Sequence, residues 1–172
     1  AAGTLSMERV EMLRAKELGL DIAEGASVTV RACLFSRNAG PAISVAGELA
    51  LADSEVSEGT FWEWGTSNQH HQRSPAGILV TGPAADVTIS HTRFAGNTTL
   101  ERSYFRGGVT TGVGRGGALT ILDGAVVLTD CTFTGNSTAG YEGAEGGAIH
   151  LAGGTLRAER CSLIGNTAEG SG

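Results

Sequence analysis

Proline is close to missing, with three residues in 172, so Pro-rich linkers and polyproline segments are excluded. Aromatic residues make up 5% and charged residues 17%, which rules out a strongly charged, self-repelling chain. Twelve Lys and Arg stand against eighteen Asp and Glu, a net charge of −6. That balance argues against a nucleic-acid partner, because neutralising a phosphate backbone needs clustered cations. No run of 18 apolar residues occurs, so no segment reads as a membrane-spanning helix. Three Cys with no CxxC and no Cys/His spacing give no metal signature, and no cofactor is expected. The opening residues AAGTLSMERV carry neither an initiator Met nor a signal-peptide pattern, and localisation signals are expected outside this segment.

Glycine is what the sequence has in excess, at 27 residues, and it falls in a repeat. Four segments align: CLFSRN at 33–38, TRFAGN at 92–97, CTFTGN at 131–136 and CSLIGN at 161–166. Counted from the first residue of each segment, small or apolar residues occupy positions −5, −3, 0 and +2, and Asn occupies +5. The same rule finds two degenerate copies, with position 0 at Val10 and Ser54. Aliphatic residues recur further on at Leu20, Ile43, Ile78, Leu119 and Ile149, the last two preceded by Gly-Gly-Ala.

Alternation at spacing two is the pattern of a strand with one buried face. Each copy holds about three such strands and no stretch of helical period. Strands that cannot pair within a copy must pair in parallel with the next one. The chain therefore reads as a single all-β domain over 1–172, a right-handed parallel β-helix of six coils. Phe35, Phe94 and Phe133 should share one interior column, and Asn38, Asn97, Asn136 and Asn166 should form a buried amide ladder. Gly, Ala and Asn at the corners are expected to supply the positive φ of tight bends. Gly170-Ser171-Gly172 falls where the corner before a further coil would stand, so a seventh coil is expected.

Cys131 and Cys161 occupy the same interior position of adjacent coils, their Cα atoms about 5 Å apart, which leaves stacked thiols and a disulfide both open. Cys33 lies three coil steps from Cys131 and has no partner. On the outside, position −1 should stack Asp53, His91, Asp130 and Arg160 in a column, with Glu55 beside Arg93. Asp53, His91 and Asp130 are candidate acid/base groups; the plainer reading is charge pairing on a solvent face.

Successive +5 positions, at 15, 38, 59, 97, 136 and 166, are separated by 23, 21, 38, 39 and 30 residues. The excess falls directly after the +5 corner, as insertions 60–74, 98–114 and 137–145. Stacked coils must send these loops out along one edge. They hold six of the nine aromatics: Phe61, Trp62, Trp64, Tyr104, Phe105 and Tyr141. With His70, His71, Arg102 and Arg106, these form a candidate binding ridge, since solenoid insertions commonly collect on a binding face. Trp, Tyr and Arg suit a protein interface, flat aromatic rings suit glycans, and packing of the rings over the coil is the third reading.

The Gly116–Leu119 and Gly146–Ile149 tetrapeptides, with Phe35–Asn38, Phe94–Asn97 and Phe133–Asn136, resemble the repeat of the polymorphic membrane proteins. That resemblance is good over residues 76–168 and weaker before them. It implies a β-helical passenger on a cell surface, a non-enzymatic adhesin or rigid stalk docking a protein partner or neighbouring chains. It carries over no catalytic residue, since these are scaffold motifs. The alternative function is a polysaccharide lyase or hydrolase of pectin-lyase-like architecture.

Overall fold

The structure, a computed structural model, describes residues 3–65, 75–105, 108–110, 113–140 and 143–170. Among these the protein is all-β, and it is a parallel β-helix. The first sheet stacks six five-residue strands, Thr4–Glu8, Ser27–Arg31, Glu48–Ala52, Asp86–Ser90, Ala125–Thr129 and Thr155–Glu159. A second six-stranded sheet runs from Glu11–Leu13 through Leu34–Ser36, Glu55–Ser57, Arg93–Ala95 and Thr132–Thr134 to Ser162–Ile164. A third has five strands, from Leu20–Ile22 to Ile149–Leu151. All pairings within these three sheets are parallel, and the register places Val28 on Leu49, Val87 on Val126, and Phe94 on Phe133, as the repeat requires.

Alternate residues of each strand fill the interior. Val30, Leu51, Ile89 and Leu128 are fully buried, as are Ile43, Ile78 and Leu119 on the third sheet. Phe94 and Phe133 stack with centroids 4.6 Å apart and planes 3° from parallel, an arrangement imposed by the strand spacing. Phe35 shares the column but meets Val56 of the intervening coil.

Backbone curvature is concentrated at single residues. Arg9, Ala32, Asp53, His91, Asp130 and Arg160 all have φ between 47° and 54°, which is the whole −1 column. A second left-handed column lies at +4: Arg14, Arg37 and Glu58, then Gly96, Gly135 and Gly165. The ladder Asn residues, expected to take the positive φ themselves, do not; the residue before each does. Every second-sheet strand is thus bracketed by two left-handed residues. Three of the +4 positions use Gly for this, while Asp, Glu, His, Arg and Ala hold the conformation elsewhere at some cost.

Position 0 is more than small and apolar. Ser54 Oγ donates to Ala52 O at 2.7 Å and Thr92 Oγ1 to Ser90 O at 2.8 Å, each capping the carbonyl two residues back across the corner. Cys33, Cys131 and Cys161 donate their thiols in the same way at 3.2–3.3 Å. The N–H of Cys33 in turn donates to Ser54 Oγ at 3.1 Å, which links successive coils. The cysteines are free thiols, and burial pushes the Cys131 thiol up, which keeps its proton available for donation.

Asn97 and Asn136 are completely buried. Asn136 Nδ2 donates to Asn166 Oδ1 at 2.9 Å and to Phe94 O at 3.1 Å. Its Oδ1 accepts from the N–H of Asn97 at 3.1 Å and from Asn97 Nδ2 at 3.0 Å. The ladder is interrupted at coil three, where Gly59 stands at +5; its N–H donates to Asn97 Oδ1 at 3.2 Å. A Cβ there would meet Ala76 O at 2.8 Å, so the third-sheet corner leaves Gly59 no room for a side chain. The Gly-Gly-Ala corner has a similar basis. Gly146 takes φ +63°, and a Cβ on Gly147 would lie 2.3 Å from Thr167 O.

Two substitutions test these columns. Asn136→Ala strands the N–H of Asn97 and the carbonyl of Phe94, and should cost about 2–4 kcal/mol in chemical denaturation. Ala32→Gly at an exposed left-handed corner should instead raise stability by about 0.5–1 kcal/mol, and an unchanged or lower midpoint would contradict the strain assigned to that column.

Candidate functional site

The insertions leave the coil through the Asn ladder. Residue +6 of each coil donates its N–H to the +5 carbonyl of the coil before: Thr60 to Asn38 at 2.9 Å, Thr98 to Gly59 at 2.8 Å, Ser137 to Asn97 at 2.9 Å and Thr167 to Asn136 at 2.9 Å. The ladder therefore sets the register of each inserted segment. The insertions begin as strands, where loops were expected. Thr60–Gly65, Thr98–Phe105, Ser137–Gly140 and Thr167–Gly170 pair in parallel as a fourth sheet. Gly108–Thr110 turns back antiparallel on Thr98–Phe105, and Val113–Arg115 pairs with Gly143–Glu145. The physical reason is local: each insertion starts fully registered, and Thr, Phe, Trp and Tyr favour extended backbone.

Gly170 stands in register with Gly140, inside this sheet, and Ser171 and Gly172, the rest of the corner expected for a seventh coil, lie outside the described residues. At the sheet's root, Thr98 Oγ1 and Ser137 Oγ are 3.0 Å apart. Ala76 N–H donates to the buried Thr99 hydroxyl at 3.2 Å.

Six residues of the candidate ridge fall on two adjacent strands of this sheet. Phe61, half-buried, is in register with Thr99, Trp62 with Leu100, and Trp64 with Arg102. Tyr104 and Phe105 lie further along the longer strand, opposite Val109 and Gly108. His70, His71, Arg106 and Tyr141 lie outside the described residues. The sequence located the emergence of these segments from the coil lengths; it held no signal that they pair with one another.

The −1 column splits in two, Asp53 with Arg31 and Asp130 between His91 and Arg160. Asp53 takes Arg31 Nε at 3.1 Å. Asp130 takes Arg160 through two bonds of 2.7 and 2.9 Å, and its Oδ2 lies 3.6 Å from His91 Nε2. Glu55 and Arg93 meet at 3.2 Å, as the register required. Arg37 and Glu58 on the +4 column, at 2.6 Å, were not anticipated, because the repeat rule assigned no residue type to that position. Asp53 and His91 line a shallow depression of about 380 Å³ on the outer face of the first sheet, floored by Ala50 and Ala52 and walled by Thr29, Arg31, Thr88 and Ser90. Asp130 does not line it: it meets His91 from the next coil, and its carboxylate is held by Arg160.

The Arg160 guanidinium, hydrogen-bonded to Asp130, holds that carboxyl below the usual carboxylate range, with a smaller pull from His91. Asp130 is accordingly ionised at neutral pH, the wrong state for a general acid. A depressed carboxyl stabilises the fold above its unfolded value, about 3.9, and that contribution disappears as pH falls through the folded value. Asp130→Asn should therefore lower stability slightly at pH 7, converge on the parent in strong acid, and so flatten the acid limb of the stability curve below about pH 4. An acid limb identical to that of the parent would show the Arg160 contact to be without effect. The sequence matches no family model, and no curated protein or solved structure matches it either.

Proposed function

We propose that this chain is a non-enzymatic module of a cell surface, a β-helical rod that recognises a protein partner, or docks neighbouring chains, through its inserted sheet. The observation that carries the reading is the register of the fourth sheet, which brings Phe61, Trp62, Trp64, Arg102, Tyr104 and Phe105 onto neighbouring strands anchored to a rigid core. Aromatic residues and Arg are the side chains most often responsible for affinity in protein interfaces. A large, low-entropy scaffold reduces what must be ordered on binding. The resemblance of the Gly-Gly-Ala and Phe-x-x-Asn motifs to polymorphic membrane protein repeats points the same way, towards an extracellular adhesive or stalk role.

A carbohydrate-active enzyme is the second reading, favoured by the depression that Asp53 and His91 share. It is the weaker one, because Asp53 is already neutralised by Arg31 and no second carboxyl lines the depression. Glycan recognition without catalysis is compatible with the aromatic sheet.

The test is binding of the wild-type chain and of the Trp62→Ala/Trp64→Ala variant to a glycan array and to intact cells. Selective binding to a protein on cells, lost in the variant with an unchanged Tm, is the expected result. Full binding by the variant would remove the aromatic sheet from recognition. A Tm lowered by more than about 5 °C would assign the two Trp to packing instead.

A further inference from the structure

The fourth sheet has one edge that the coil beneath it does not cover. Thr60 donates its N–H to Asn38 O, so this side of the strand faces coil two. In a parallel ladder the N–H and C=O of one residue point to the same side, and the direction alternates along the strand. Thr60, Trp62 and Trp64 therefore direct their backbone groups towards coil two, while Phe61, Glu63 and Gly65 pair with the Thr98–Phe105 strand. Coil two supplies nothing to meet them. It passes from Asn38 to the next strand, Ile43–Val45, in four residues, and no described strand pairs with Thr60–Gly65 on that side.

Charge adds a second observation. The register sets Glu63 directly opposite Glu101, and the row continues into Gly140 and Gly170. Like charges facing each other across a ladder repel, and this row contains no cation to offset them. A strand added beside Thr60–Gly65 would give Glu63 a new neighbour, at which Lys or Arg is favoured. Flanking positions would lie beside Trp62 and Trp64, where apolar and β-branched residues pair best. A second copy pairing its own edge antiparallel about Glu63 would bring Glu63 against Glu63, which disfavours self-pairing.

We propose that the backbone edge at Trp62 and Trp64 is a strand-addition site for an extended segment of another protein, with a basic residue between two apolar ones. This deepens the recognition role proposed above and rests on it. Main-chain bonds supply affinity in this mode, and the side-chain pattern supplies selectivity. An edge that no described strand covers otherwise invites non-selective pairing.

The probe is a fluorescein-labelled peptide, Thr-Val-Lys-Val-Thr-Val, measured by anisotropy with a Lys→Glu counterpart. Saturable binding is expected, weaker for the Glu peptide by at least about fivefold, with the preference reversed in Glu63→Lys. Trp64→Pro removes an edge N–H without touching the inner ladder and should abolish binding, while Trp64→Thr keeps the N–H and should retain it. Trp62→Pro is the substitute if Trp64→Pro lowers the Tm. Equal loss in Trp64→Pro and Trp64→Thr would overturn strand addition while leaving an aromatic recognition surface intact. No saturation at millimolar peptide would overturn strand addition as well. Dimerisation in sedimentation that Trp64→Pro abolishes would replace the foreign segment with a second copy.

Discussion

One side-chain amide shared between coils organises most of this molecule. Asn97 and Asn136 each accept from the backbone of the coil before and donate both to that coil and to the next amide, as Asn136 does with Asn97, Phe94 and Asn166. Because these amides are fully buried, an amide displaced by one residue would leave several groups unpaired. The ladder therefore locks the stacking register of the second and third sheets. It also releases the insertions in step with one another, since the next N–H in each coil bonds the ladder residue's own carbonyl.

Much of the core was legible because strand alternation and coil stacking both act on residue type. Phe94 over Phe133, Val87 over Val126 and the Asn column derive from aligning four hexapeptides. The corners were harder to read. Asp53, His91 and Asp130 share a left-handed conformation that their residue types do not announce, because nothing forbids a charged side chain there once the flanking strands over-determine the turn. Ser, Thr and Cys at position 0 looked merely small, although their common property is a donor that reaches the carbonyl two residues back. Coil lengths showed where the insertions leave the coil, yet pairing between Trp62 and Leu100 depends on partners nearly forty residues apart, which local pattern cannot report.

The result is a division of labour along each coil. Interior columns tolerate little change, because neighbours above and below occupy the same positions. Outward columns exchange charge freely: Arg31 with Asp53, Glu55 with Arg93 and Asp130 with Arg160 are exposed pairs that solvent screens, so none of them holds the stack together. The segment after the ladder Asn varies most in length without disturbing the stack, so new surface accumulates there. A candidate site on this scaffold is built from backbone register first and side-chain chemistry second.

The hydrogen bonds between coils lie along the long axis of the stack, so a pull applied along that axis loads one end coil at a time. Under tension such a rod yields like an unwinding cable, coil by coil, instead of rupturing as a block. Coils of 21 and 23 residues would each release roughly 70–80 Å of chain, and those of 38 and 39 roughly 130 Å, at about 3.4 Å per residue. The insertions thus give the middle of the rod more slack than its first coils. A chain held at one end and loaded at the other would dissipate work in unequal steps.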